Sequence, residues 1–74
     1  MTLANLALGE TGQVKALRTT GAIRRRLLDL GLVPGTVVQL VLKGPSGDPA
    51  AYLIRGAVIA LRAKEARQIL MEED

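Results

Sequence analysis

One stretch, Ile23–Gly35 (IRRRLLDLGLVPG), constrains the fold of this chain more than any other. Ile23, Leu27 and Leu30 recur at i, i+4 and i+7, the spacing of one stripe on an amphipathic helix. Thr20 stands where an N-cap belongs, because its hydroxyl can accept a bond from a first-turn N–H that has no helical partner. The pattern predicts a helix over about 21–30. Gly31 then supplies the left-handed residue that ends a helix cheaply, and Leu32 follows where a Schellman motif places its apolar contact. Pro34-Gly35 makes a tight turn: proline pre-sets the first central φ and glycine takes the positive φ at the second.

Around this block the chain reads as short strands. Met1–Gly9 carries Leu3, Leu6 and Leu8, an arm expected to pack onto the body, and Gly9-Glu10-Thr11-Gly12 reads as a turn. Gln13–Arg18 is a first strand with Val14 and Ala16 on one face; Leu17 breaks the alternation, which calls for a bulge or a two-sided strand. Thr36–Lys43 (TVVQLVLK) is the strongest strand, β-branched and bounded by Pro-Gly and Gly-Pro, with Val38, Leu40 and Leu42 expected on one face. Gly44–Pro49 is a surface loop. Ala51–Arg55 and Ala57–Arg62 meet at Gly56 as a hairpin. Ala63–Gln68 is built of helix formers, Ile69–Met71 closes the sheet, and Glu72-Glu73-Asp74 is an acidic, frayed tail. Four or five strands with one inserted helix, in only 74 residues, predict a mostly β, small SH3-like barrel, which is expected to remove the exposed edges that a small flat sheet would leave. One domain over 1–74 follows, at a size where a single core is marginal.

Composition excludes most chemistry. The chain has no histidine and no cysteine, so no nucleophile–base pair and no thiolate or imidazole metal site can be assembled. Ser46 sits in a Gly-Pro loop without support for a serine–lysine dyad, and Gly44, Gly47 and Gly56 lack the spacing and the following helix of a phosphate loop. The expectation is a non-enzyme with no cofactor, no metal and no small-molecule substrate. No basic-then-apolar leader and no apolar run near the ~18 residues of a membrane span occurs, so a cytoplasmic location without membrane insertion is expected.

The arginine run is the informative constellation. On a helical wheel Arg26 borders the Ile23–Leu27–Leu30 stripe on one side and Arg24 on the other, while Arg25 and Asp29 point outward and Leu28 lies off the stripe. Three arginines early and an aspartate late oppose the helix dipole by roughly a few tenths of a kcal/mol per charge. Arg25–Asp29 and Arg26–Asp29 pairs would recover part of that. The run is either a solvated face with one arginine laid along the barrel, or a protein-contact patch of Arg24, Arg25, Arg26 and Asp29 with Leu28 as its apolar centre. The enrichment of arginine at interfaces raises the second reading. A net charge of +3 and a single aromatic, Tyr52, provide no stacking platform for nucleic acid and no ring-lined groove for proline peptides. Tyr52 is expected in the core.

The block RRRLLDLGLVPGT, then GDP, then IRGAVIALRAKEARQI resembles the FeoA family, small cytosolic proteins of bacterial ferrous iron uptake. The shared positions are Leu6, Gly9 and Gly12, then Arg26-Leu27, Leu30-Gly31-Leu32, Pro34-Gly35 and Asp48-Pro49, and then Gly56, Ala60-Leu61-Arg62, Glu65-Ala66 and Ile69. The resemblance implies an SH3-like barrel and a non-enzymatic partner of the FeoB transporter, a membrane protein with a cytosolic GTPase domain, on which the chain would dock through the helix face or the loop at Gly44–Pro49. It leaves open whether such a partner regulates or assembles the transporter, and whether it self-associates. Two alternatives stand beside it: a small basic barrel on nucleic acid, and a stand-alone relative of the SH3-like domain of iron-dependent repressors.

Overall fold

A computed structural model describes residues 1–73. Five antiparallel strands form one sheet in the order β4-β3-β2-β1-β5, with β1 at Thr11–Leu17, β2 at Val37–Lys43, β3 at Ala50–Ile54, β4 at Ala57–Leu61 and β5 at Ile69–Met71. Helix α1 (Gly21–Asp29) lies between β1 and β2, and a single turn, α2 (Ala63–Ala66), joins β4 to β5. The expected mostly β architecture with one inserted helix is what forms.

The sheet curls into a barrel because β1 serves two partners, although among the described residues no ladder joins β4 to β5 and the expected removal of edges is incomplete. Its first residues pair with β2 (Thr11↔Gln39 to Gln13↔Val37), and its later ones pair with β5 (Val14↔Met71 to Leu17↔Ile69). A register shift between Val14 and Ala16 bends the strand there, the bulge expected from Leu17 breaking the alternation. The strand starts earlier than its sequence suggests, at Thr11. Gly12 is not a turn residue: it lies in the strand, where a Cβ would sit 2.9 Å from Met71 Cε and 3.3 Å from Leu6 Cδ2, so a larger residue would have to displace the ends of these two core side chains.

The N-terminal arm packs as expected for Leu3 and Leu6, both buried, and the 3-10 turn Leu3–Asn5 sets them inward; Leu8 instead faces solvent. Glu72 is not frayed, since its N–H donates to Gln13 O at 2.8 Å and extends the β1–β5 ladder; Asp74 lies outside the described residues. In β2, Val38 and Leu40 are buried, but Leu42 is 63% exposed. The expected shared face breaks because a second register shift, between Leu40 and Leu42, inserts Val41 and turns Leu42 outward. The β3–β4 hairpin turns on Arg55-Gly56, both with positive φ (50° and 84°), the signature of a type I′ turn.

Tyr52 faces the core beside Leu40, as expected. Burial, and then the nearby Asp48 carboxylate, raise its phenol above the ordinary 10.0. The unfolded chain therefore ionises first, so stability is level below about pH 10 and falls as pH rises through the folded value. Tyr52→Phe is expected to flatten that alkaline fall in urea midpoints measured from about pH 9 to 11. An equal fall in both proteins would remove Tyr52 as its cause.

Candidate functional site

Helix α1 is held at its C-terminus more tightly than at its N-terminus. Gly31 has φ +100°, its N–H donates to Leu28 O at 2.9 Å, and the Leu32 N–H donates to Leu27 O at 3.1 Å. Those two bonds are a complete Schellman motif, and Leu27 and Leu32 are both fully buried beneath it. Thr36, itself buried, donates its hydroxyl to Gly31 O at 2.8 Å, so the cap is tied directly to the start of β2. The Pro34-Gly35 turn closes with Thr36 N–H on Val33 O at 3.0 Å, and Gly35 takes φ +95° as expected. At the other end Thr20 occupies the N-cap position with extended backbone, but its hydroxyl makes no capping bond.

The buried stripe of α1 is narrower than the periodicity predicts. Leu27 is fully buried and Leu30 packs partly against the core, while Ile23 is 53% exposed. Ile23 stands one turn before Leu27, on the N-terminal half of the helix. There it borders a shallow depression with Thr19, Lys64, Glu65 and Gln68.

Of the five residues assigned to partner contact, Arg24, Arg25, Leu28 and Asp29 line one open depression, together with Gly21 and Ala22. The two small residues leave space in front of the arginines. Sequence reasoning missed this contribution, although Gly-Ala ahead of the run was there to read. Arg26 is separated from the group. Its guanidinium pairs with Glu65 in α2, 39 residues away, rather than with Asp29. Glu65 has a second task, since its other oxygen accepts the Arg62 N–H at 3.0 Å at the start of α2. Arg26 thus ties α1 to α2, and the expected Arg25–Asp29 and Arg26–Asp29 pairs do not form.

Among the described residues the charges of Arg24, Arg25 and Asp29 are unpaired, beside a half-buried Leu28. A part-apolar patch with free guanidinium groups can recognise carboxylates through bidentate bonds and give an apolar side chain a seat. No group of three or more His, Cys, Asp or Glu side chains gathers among the described residues, and no helix there is long and apolar enough to cross a membrane.

The family model described as the FeoA domain matches residues 1–73. The chain is 31% identical over 72 residues to the Fe(2+) transport protein A/Fe(2+) transporter FeoB fusion protein of Porphyromonas gingivalis, a match covering 97% of this chain and 8% of that one. The FeoA protein of Chlorobium tepidum has a solution structure of the same fold, with TM-score 0.89 and 35% identity over 96% of this chain and 68% of that one. The crystal structure of Stenotrophomonas maltophilia FeoA, a zinc complex described as a procaryotic SH3 domain protein, matches with TM-score 0.88 and 36% identity over 97% of this chain and 89% of that one. Zinc does not fit the present chain, which has no His or Cys to supply the nitrogen and sulfur donors that zinc favours and no carboxylate cluster among the described residues.

Proposed function

This chain belongs to the FeoA family, and from that membership we propose that it is a non-enzymatic accessory protein of ferrous iron uptake. In this reading it docks on the cytosolic side of a FeoB-type GTPase transporter, to regulate or assemble it, through Arg24, Arg25, Leu28 and Asp29. The observation that carries the reading is the fusion protein of Porphyromonas gingivalis, in which a segment matching 97% of this chain shares one polypeptide with a FeoB transporter. Segments that act on one another gain effective concentration from such linkage.

The face is chosen on physical grounds. Arg26 is engaged with Glu65 and acts as a brace, whereas Arg24 and Arg25 keep their donors free. Leu28 supplies the apolar centre that charged groups alone lack.

The test is an amide-shift titration of the isotope-labelled protein with the cytosolic GTPase domain of the partner transporter, with and without a GTP analogue. Saturable shifts centred on Arg24–Leu32 are the expected result. Unchanged spectra in both nucleotide states at high partner concentration would end the proposal of docking on that domain.

A further inference from the structure

The two edges of the sheet are treated differently. On the β5 side the N-terminal arm covers the edge: Thr2 bridges Leu70, and the Met71 N–H donates to Met1 O at 3.0 Å. On the other side β4 is the last strand, with nothing beyond it in the sheet among the described residues.

Strand β4 lacks every device that normally blunts an edge. Its sequence, AVIAL, has no charge and no proline, and its five pairs with β3 run in unbroken register from Ala57↔Ile54 to Leu61↔Ala50. In a two-residue hairpin the closing pair is hydrogen-bonded and the bonding alternates along the strands. The N–H and C=O groups of Val58 and Ala60 therefore face away from β3. Ala57, Val58 and Ala60 are all exposed.

An apolar surface runs up to this edge. The cross-strand row Gln39–Leu53–Val58 ends at β4, as does the row Leu42–Ala51–Ala60 beside it. Leu42, Leu53 and Val58 are 63%, 36% and 64% exposed. A strand added to β4 would continue both rows and cover them.

Charge selects the occupant. Strands β3 and β4 contain no carboxylate, and β4 is bracketed by Arg55 before it and Arg62 after it, neither of them in an ion pair among the described residues; at the Arg62 end Asp48 accepts the Ala63 N–H at 2.9 Å, and Glu65 is engaged by the Arg62 N–H and by Arg26. A second copy is a poor match. Antiparallel self-pairing about Ile59 sets Arg62 opposite Gly56 and next to the other copy's Arg55, and parallel pairing sets each arginine beside its twin. We propose that β4 accepts an extended partner segment, apolar and alternating in its middle and acidic at both ends, as a sixth strand of the sheet. This site is on a different element from the α1 face and stands without it.

The test uses the full labelled chain and a short synthetic peptide that alternates valine and threonine between pairs of glutamates. Saturable shifts and slowed amide exchange confined to Val58, Ala60 and their β3 neighbours are expected. Replacing the glutamates by lysines should weaken binding about tenfold or more. Backbone N-methylation of the peptide should abolish binding, because the ladder bonds are lost. Ala60→Pro should do so from the protein side, by removing an outward donor without touching the β3 ladder. No β4 shifts at millimolar peptide, equal affinity for the lysine peptide, or β4 shifts that grow with protein concentration alone would each overturn the proposal; the last would assign the edge to a second copy.

Discussion

Replacing Leu27 by alanine is expected to lower the melting temperature by on the order of 10–30 °C. Leu27 is the one fully buried residue of α1, and its carbonyl receives the Leu32 N–H of the helix cap. Truncating such a leucine costs about 2–5 kcal/mol, the sum of lost transfer energy and the cavity left behind. A domain of this size holds roughly 5 kcal/mol or little more in total, so most of the margin disappears. The comparison variant is Ile23→Ala, on the same stripe and the same helix. Ile23 is 53% exposed, so its truncation should move stability by only about 0.5 kcal/mol. Thermal melts followed by far-UV circular dichroism separate the two, and equal shifts would mean that the helix is anchored elsewhere.

Leu28→Asp is expected to do the reverse: keep the fold and lose the partner. Leu28 is only half-buried and touches no part of the Schellman cap except through its carbonyl. The loss of stability should be about 1 kcal/mol. A central apolar contact at an interface is worth about 2 kcal/mol or more, so affinity for the FeoB-type cytosolic domain should fall about 30-fold. Arg25→Glu should instead slow association and alter its salt dependence, as exposed charges do. Calorimetric titration of both variants, beside their melts, is the measurement. Wild-type affinity in Leu28→Asp would place the docking surface away from α1.

Much of the architecture was legible because it is written in local chemistry. Gly31, Leu32, Pro34 and Gly35 each need only their immediate neighbours to do what they do, and each does it. What could not be read depends on distant partners. Periodicity says which residues share a helix face, but not how far the barrel covers that face, so Ile23 was misplaced. Alternation along β2 carries no sign of the extra residue at Val41 that turns Leu42 outward. Gly12 looks like a turn until Met71 and Leu6 are seen to occupy the space of its missing side chain. The candidate face follows the same division. Arg24, Arg25, Leu28 and Asp29 come together because one helix carries them, whereas Arg26 is withdrawn by a carboxylate that no local pattern links to it.

The division of β1 between β2 and β5 has a kinetic consequence. The second half of β1 pairs with residues near position 70, and the Met1 carbonyl is bonded to Met71. During synthesis Val14, Leu3 and Leu6 must wait for Ile69–Met71 to leave the ribosome before the core they share with them can form. The β2–β3–β4 meander, by contrast, needs only residues close together in the chain and can zip early. Until the last strand arrives, the nascent chain presents an open half-barrel, and this is the interval in which it is most exposed to misassembly.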